Sequence, residues 1–394
     1  MSFISTKIAV DISSNQHLSN SLYLSNSLDR LAFKLYLPFH YSTEILVRNL
    51  TPFTADRLGM FGNHQYLAIE LAKRVIQCTL LVLAFPVSIS FFLTASIIDA
   101  FNTKNRSYAF LKGNSNVLSS EDNLLKIFNL NTCMLWGGIP MIFGGVCPSR
   151  YRIEHLANFI MSSLPDVLVL QEMSRSAADV LWNRIKDHYG YAITSVSPQP
   201  LIMLDAGLFV ASRKPISDIV FIDLKTNALM RRALLGIELP NSWILATHLS
   251  SGYEEEDVSV RRQQVATIRV AIEGLKKKSD KPVFLIGDLN IQRTFLPDDE
   301  YSLSGLSDSF INLDPAECLN AETATCTNYL SAFMTGQNLS THERELVDYG
   351  LVYKADADRI QNVRFLKHST YDCLNPLMAF SDHKALEVIL EVVN

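Results

Sequence analysis

A long apolar segment near the start of the chain is its clearest hydrophobic pattern. The 24 residues from Val75 to Ile98 carry no charge and are bounded by Lys73-Arg74 and Asp99. A run of this length predicts a membrane-spanning helix. Pro86 lies near its middle, so a hairpin of two short halves and a buried helix pair of a soluble protein are alternatives. Basic residues follow as well as precede the run, and the flanks therefore leave its orientation open.

The segments on either side of this run show no candidate chemistry. Residues 1–74 mix Ser, Asn and Leu with scattered charges and lack the pattern of a cleaved signal peptide. Residues 99–122 are polar and predict a linker. We therefore divide the chain into an N-terminal region of unknown role (1–74), a hydrophobic membrane segment or hairpin (75–98), a linker (99–122) and one large domain (123–394).

After residue 122, short apolar segments alternate with amphipathic ones, which predicts an α/β or α+β domain. Apolar residues recur at helical spacing from Ile153 to Leu164, and a second helix is predicted over Arg261–Lys276. The main predicted strands are Leu124–Leu130, Asp166–Leu170, Ala206–Ser212, Trp243–Leu249, Val283–Gly287, Leu346–Tyr353 and Ala385–Val393.

Composition narrows the class of protein. With 48% hydrophobic and 19% charged residues among 394, the chain has ample material for a core and is not a disordered protein. Its net charge of −5 lacks the positive field of a nonspecific nucleic-acid binder, so nucleic acid is disfavoured as a partner. Six cysteines without a CxxC pair argue against a disulfide scaffold and structural zinc, and a reducing compartment is expected.

Polar residues stand at the ends of several predicted strands and form the candidate site. They are Gln171-Glu172, Asp288-Leu289-Asn290 and Ser381-Asp382-His383. One such residue alone is usually a solvated turn residue, but their joint occurrence favours a common site. A hard cation acting on phosphate requires a few oxygen ligands, which Glu172 and Asp382 can supply. A general base for water requires a histidine and an orienting carboxylate, for which His383 and Asp348 are candidates.

The order of these motifs resembles that of the endonuclease/exonuclease/phosphatase superfamily over about residues 123–394. Within it the chain is most similar to neutral sphingomyelinases. The resemblance implies an α+β fold, a four-layer α/β/β/α sandwich of two mixed sheets with helices outside, preceded here by the membrane-associated helical segment. The motifs that carry it are Asn131, Gln171-Glu172, Gly207-Leu208, Ser212-Arg213-x-Pro215-Ile216, Thr247-His248-Leu249, Gly287-Asp288-x-Asn290, Asp348-Tyr349 and Ser381-Asp382-His383.

On the metal side, the resemblance implies that Glu172 is the principal Mg²⁺ ligand. Asn131 would assist at the metal or the phosphate, and Asp382 would complete the charges around the cation. Such an arrangement offsets the charge that develops on the phosphoryl oxygens.

On the reaction side, the resemblance implies that Asp288 and Asn290 position the attacking water and a phosphate oxygen. His383 would be the general base, oriented by Asp348. His248 would contact the phosphate and stabilise the leaving oxygen. Asn290 and His248, with Asn131, would therefore bind substrate as well.

Other polar and aromatic residues have a structural interpretation beside the functional one. Arg213 can contact substrate, but an arginine at a strand end is often a structural ion pair. Arg231-Arg232 can meet a lipid phosphate, although an exposed pair is the default. Glu254–Asp257 is expected to be a solvated loop. Three aromatic residues are predicted to pack in the core or in loops, since no basic cluster interleaves with them: Trp136, Phe143 and Trp182.

Four function classes are compatible with the site. A sphingomyelinase-like phosphodiesterase fits the membrane segment, the acidic balance and two further stretches similar to neutral sphingomyelinases, Arg261–Gln264 and Ala324–Asn328. A deoxyribonuclease-like nuclease, a phosphoinositide phosphatase and a membrane-tethered interaction domain are the alternatives. The partners expected are a phospholipid membrane and a lipid phosphodiester, with no obligate protein partner. The protein is expected to be membrane-associated, with the side of its catalytic domain left open.

Overall fold

A computed structural model of the chain describes residues 31, 34–39, 41–42, 45–46, 64–103, 108–115, 123–134, 149–195, 207–226, 232–320, 322–327, 344–370 and 381–393. All structural statements below concern these residues.

The described helices with defined ends are α1 His64–Thr103, α2 Ser149–Ser163, α3 Arg175–Ile185, α4 Glu255–Lys276, α5 Glu300–Leu303 and α6 Leu306–Ser309, with a 3₁₀ turn at Lys354–Arg359. The strands are β1 Tyr108–Lys112, β2 Leu124–Met134, β3 Val167–Met173, β4 Tyr191–Ser195, β5 Gly207–Ser212, β6 Asp218–Leu224, β7 Arg232–Glu238, β8 Trp243–His248, β9 Val283–Asp288, β10 Phe310–Asn312, β11 Cys326–Thr327, β12 Arg344–Glu345, β13 Asp348–Tyr353, β14 Ile360–His368 and β15 Ala385–Val392.

Within the described part of the chain, these strands form two mixed sheets and a small ribbon. The seven-stranded sheet has the order β1-β4-β5-β3-β2-β15-β14, and the six-stranded sheet has the order β10-β13-β9-β8-β7-β6. Each sheet contains one parallel pair joined through a helix, β2-α2-β3 in the first and β8-α4-β9 in the second. The carboxyl ends of a parallel pair lie at the same edge of its sheet, which places the polar residues following these strands together.

The apolar core falls into three main clusters. One lies between the seven-stranded sheet and helices α2 and α3, and it contains the fully buried Trp182, as predicted for that residue. A second is shared by residues of both sheets, such as Val169 and Ile244. The third joins the six-stranded sheet to α4 through Leu245 and Ile268. Each sheet therefore buries apolar side chains on both of its faces.

The apolar run is one helix and not a hairpin broken at Pro86. Pro86 lies inside α1, and the apolar part, Leu71–Ile98, is 28 residues long, or about 42 Å at 1.5 Å per residue. Its length and composition suffice to cross a membrane, and 22% of its most apolar stretch is buried. The hairpin alternative does not hold, because a proline removes only one backbone hydrogen bond, a loss that a long helix tolerates in an apolar setting.

The predicted linker, residues 99–122, contains regular structure that the sequence analysis missed. Helix α1 continues to Thr103, and β1 pairs antiparallel with β4 at the edge of the seven-stranded sheet. Leu111 is 1% exposed and belongs to the core cluster under α2 and α3. The sequence pattern did not indicate this five-residue strand, because its neighbours are polar and a short edge strand needs only a few buried side chains.

Candidate active site

Two residues of the site sit on unusual backbone. Glu172 has a φ of 53° and Asn290 a φ of 50°, in the left-handed region that residues other than glycine rarely adopt. At Glu172 the pairing of β3 with β5 shifts register between Leu170 and Met173, as expected of a bulge. Bulges and left-handed residues re-aim side chains next to active sites. This is how Glu172, at the end of β3, reaches the amide of Asn131.

Asn131 connects two of the carboxylates. Its Nδ2 donates to Glu172 Oε1 at 3.1 Å and to Asp288 Oδ2 at 2.9 Å. Its Oδ1 accepts from the backbone N–H of Cys133 at 3.1 Å, which fixes the orientation of the amide. Asn131 thus brings one carboxylate from each sheet to a shared donor.

Asp288 is the more deeply buried of the two acidic residues that accept from Asn131. Burial, followed by the negative charge of Asp348, raises the pKa of Asp288 to about 7. One oxygen accepts from the backbone N–H of Asn290 at 2.9 Å. The side-chain amide of Asn290 in turn donates to the carbonyl of Leu249 at 3.1 Å, so that Asn290 joins the loops after β8 and β9.

His383 and Asp348 form the predicted pair. His383 Nδ1 lies 2.8 Å from Asp348 Oδ2, and both residues are buried. Burial alone lowers the pKa of His383, but Cys326 and Asp348 outweigh it and hold that pKa well above its usual value. Burial also raises the pKa of the Cys326 thiol to about 11, so this thiol is neutral at pH 7. The carboxylate of Asp348 is therefore the charge that stabilises the imidazolium form of His383.

His248 lies among the carboxylates and beside a buried arginine. Its Nε2 is 3.4 Å from Asp288 Oδ2 and 3.9 Å from Glu172 Oε1. Its Nδ1 is 2.6 Å from the guanidinium of Arg232. Burial, then the charges of Arg232 and His383, lower the pKa of His248 well below its usual value. His248 is therefore a neutral hydrogen-bonding group near pH 7.

Arg232 is the site residue that the sequence analysis missed. The sequence predicted an exposed Arg231-Arg232 pair. In the structure Arg232 is 3% exposed and lies at the first position of β7. The antiparallel pairing of β7 with β8 brings it next to His248. The apolar residues Ala233-Leu234-Leu235 directly after it were the available signal, because they mark a buried strand.

Asp382 follows Ser381 and adjoins the same cluster. Ser381 donates to the carbonyl of Asn131, and its hydroxyl also accepts from the backbone N–H of His383 at 3.0 Å. The charges of Asp382 and Glu172 both raise the pKa of Cys133, after its burial. Asp382 and Glu172 therefore both lie near Cys133, at the end of β2.

The donor set fits a hard divalent cation. In the part of the chain that the structure describes, ligand atoms of Asp288, Asp348 and His383 lie within 4.8 Å of one another. None of the predicted ligands Glu172, Asp382 and Asn131 belongs to this group. Asn131 donates to both Asp288 and Glu172 and so connects the group to Glu172. The carboxylate oxygens of this group are ligands that Mg²⁺ prefers. The repulsion between Asp348 and Asp288 that helps to raise the pKa of Asp288 is the kind that a divalent cation offsets.

Other sequence candidates lie outside the site. Arg213 donates to the carbonyl of Leu164 at 3.1 Å and lies 3.7 Å from Asp166. These contacts match the structural ion pair that was the alternative to substrate binding. Glu254 to Asp257 is not a loop but the N-terminal cap and first turn of α4, where acidic side chains are stabilised by the helix dipole. Trp136, Phe143 and Arg231 lie outside the described residues.

Comparisons with known proteins agree with this architecture. A profile of the endonuclease/exonuclease/phosphatase family matches residues 128–383, more than half of the chain. No curated protein sequence matches significantly.

Many solved structures share the fold. D. rerio TDP2 complexed with a single-strand DNA product is 18% identical, covers 69% of this chain and 100% of its own, and has a TM-score of 0.50. SmcL is 16% identical, with coverages of 68% and 99% and a TM-score of 0.50. A beta toxin from Staphylococcus aureus is 16% identical, with coverages of 67% and 99% and a TM-score of 0.50. Identities this low indicate a common fold and leave the substrate open.

Proposed function

Since the chain belongs to the endonuclease/exonuclease/phosphatase family, we propose that it is a Mg²⁺-dependent phosphodiesterase that hydrolyses a membrane phospholipid such as sphingomyelin, yielding ceramide and phosphocholine. The observation that carries the proposal is the convergence of Asn131, Glu172, Asp288 and the His383–Asp348 pair at one end of both sheets. These residues supply candidates for a general base, its orienting carboxylate and oxygen ligands for a metal, which supports phosphodiester hydrolysis.

The roles proposed for the residues are those that the family resemblance implies, and the contacts of the residues support them. His383 accepts the proton of the attacking water, and Asp348 stabilises the imidazolium that forms. Asp288 and Asn290, joined by the hydrogen bond from the Asn290 backbone N–H, would orient that water and a phosphate oxygen. Glu172 and Asp382 would hold Mg²⁺, with Asn131 assisting. When bound, the cation supplies Lewis-acid stabilisation of charge on the phosphoryl oxygens.

A lipid substrate is supported by the chain outside the site. Most of the apolar stretch of α1 is exposed, including Val82 at 71% and Leu83 at 70%. A continuous apolar helix of this length is stable in contact with lipid tails. We therefore propose a membrane-associated enzyme whose substrate lies in the same bilayer.

We also propose the full four-layer order of the sandwich, with helices outside two packed sheets. The core cluster shared by both sheets and the two clusters that join each sheet to helices support it. Two aligned sheets with buried inner faces pack in this way.

A substrate panel tests the proposed function. The full chain is assayed on vesicles of sphingomyelin, lysophospholipid or phosphoinositide and on plasmid DNA, with Mg²⁺ or EDTA, beside Asp288→Ala as the inactive control. We expect phosphocholine release from sphingomyelin that requires Mg²⁺ and changes little with salt, because the head group is zwitterionic. Salt-sensitive plasmid nicking without phosphocholine release would establish the nuclease alternative, and release of inorganic phosphate from phosphoinositide would establish the phosphatase.

A further inference from the structure

A buried arginine faces one nitrogen of the site histidine His248. The guanidinium of Arg232 lies 2.6 Å from His248 Nδ1, and both residues are almost fully buried. Among the described residues, no carboxylate oxygen lies within 4.0 Å of this guanidinium. The contact with His248 is therefore the closest polar contact of the buried Arg232 guanidinium.

The chemistry of the two groups decides where the proton of His248 resides. A guanidinium has donors only and stays protonated in proteins. The imidazole nitrogen that faces it must accept, so Nδ1 carries a lone pair and no proton. A protonated ring would set a donor against a donor and a cation against a cation in a buried place. Neutral imidazole then has its single proton on Nε2.

We propose that Arg232 is a positioning residue that holds His248 as the Nε2–H tautomer. In that form the Nε2–H group faces Asp288 Oδ2 at 3.4 Å and Glu172 Oε1 at 3.9 Å, two oxygens that also accept from the Asn131 amide. The importance of Arg232 for turnover rests on the proposed function. The tautomer itself does not, because it follows from the contact alone.

The tautomer is tested directly by NMR on the full chain in detergent, with ¹⁵N-labelled histidine. The signals of His248 are assigned by their loss in His248→Gln. We expect a single Nε2–H tautomer in the wild type at neutral pH. In Arg232→Met we expect the Nδ1–H tautomer or the imidazolium to appear. Arg213→Met, which removes an arginine bound to Leu164 and Asp166, is the matched control and should leave the His248 signals unchanged.

A double-mutant cycle separates positioning from direct substrate contact. We expect Arg232→Met to lower kcat on the order of 10-fold or more with little change in KM, and Arg232→Met combined with His248→Ala to lose no more than His248→Ala alone. The cycle uses whichever substrate of the panel is hydrolysed. Arg232→Gln replaces Arg232→Met throughout if the latter lowers the melting temperature.

Two results would overturn the proposal. One is a wild-type His248 that carries its proton on Nδ1, or whose tautomer is the same in the Arg232 variant. The other is multiplicative loss in the double variant, which would make Arg232 a substrate contact. A failure of the lipid assay would leave the NMR result standing and would count against the proposed substrate only.

Discussion

One side-chain amide connects a carboxylate of each sheet in the candidate site. Asn131 donates to Glu172 and Asp288, which come from different sheets. An amide is suited to this position because its two N–H donors can serve two anions without adding charge. The acids can therefore be held close together before a cation arrives, which is the preorganisation that catalysis requires.

The first prediction concerns the residues assigned to metal binding and proton transfer. Glu172→Gln and His383→Ala should each lower kcat by at least about 10²-fold, because each residue acts chiefly in the transition state. The measurement is steady-state kinetics together with thermal unfolding. Glu256→Gln, an exposed change in the first turn of α4, is the matched control. Near wild-type turnover of His383→Ala would exclude it as the general base.

The second prediction concerns the pH dependence of the base. The carboxylate of Asp348 helps to hold the pKa of His383 above its usual value by stabilising the imidazolium. Asp348→Asn removes that charge, so the pKa of His383 should fall. Since the base works when deprotonated, the acidic limb of the kcat/KM profile should move to lower pH, while the maximum rate drops. An unchanged or alkaline-shifted limb in this variant would contradict the pairing.

At the scale of elements, the long periodic segments were predictable and the short or edge elements were not. The seven predicted strands and the helix over Arg261–Lys276 are all present, with ends moved by a few residues. Missed elements include β1, β6, β7, β14 and α3. β14 is largely exposed, without a clear buried face. Such elements are stabilised by their neighbours in the sheet more than by their own pattern.

The third prediction tests the place of β1. A chain beginning at residue 104 should keep β1, whereas one beginning at residue 118 removes it and leaves β4 as an unprotected edge. We expect the shorter chain to unfold at a lower temperature and to aggregate more readily, since Leu111 no longer fills the core. Thermal unfolding and light scattering compare the two. Equal stability would show that β1 is dispensable.

The fourth prediction concerns how α4 holds the loop after His248. Buried Arg261 donates to the carbonyls of Ser250 and Gly252 and pairs with Glu300 at 2.7 Å. Arg261→Ala should lower the free energy of unfolding by about 2–3 kcal/mol, because it leaves the half-buried carboxylate of Glu300 and two carbonyls without this donor. Denaturant unfolding measures this. Arg262→Ala on the exposed face should change the free energy of unfolding little. Equal effects of the two substitutions would contradict the stabilising role of the Arg261 contacts.

At the scale of the whole molecule, helix α1 carries much of the exposed apolar surface of the described residues. Part of its C-terminal half is covered. Ser42 Oγ lies 3.1 Å from Ser88 Oγ, and the tilted rings of Phe39 and Phe92 have centroids 4.5 Å apart. The rest exposes a continuous row of aliphatic side chains. Exposed apolar surface of this extent is stabilised by lipid or by a partner, and not by water.

The fifth prediction follows from that surface. The full chain should sediment with bilayers and resist carbonate extraction, whereas a chain beginning at residue 104 should stay in solution and hydrolyse a dispersed substrate. The physical reason is the apolar area of Leu71–Ile98. Flotation of both chains with liposomes is the measurement. A full chain that stays soluble without detergent would assign α1 to a protein contact instead.

The sequence by itself determined the apolar run, the main strands and the polar residues at strand ends, because each depends on neighbours a few positions away. Only the tertiary structure decided which of those polar groups meet. Asn131 and Asp288 are 157 residues apart, and Arg232 reaches His248 only through the pairing of β7 with β8. The same holds for the burial of Arg232 and the continuity of α1 through Pro86. Pairing and burial result from the packing of many distant side chains, which no local pattern records.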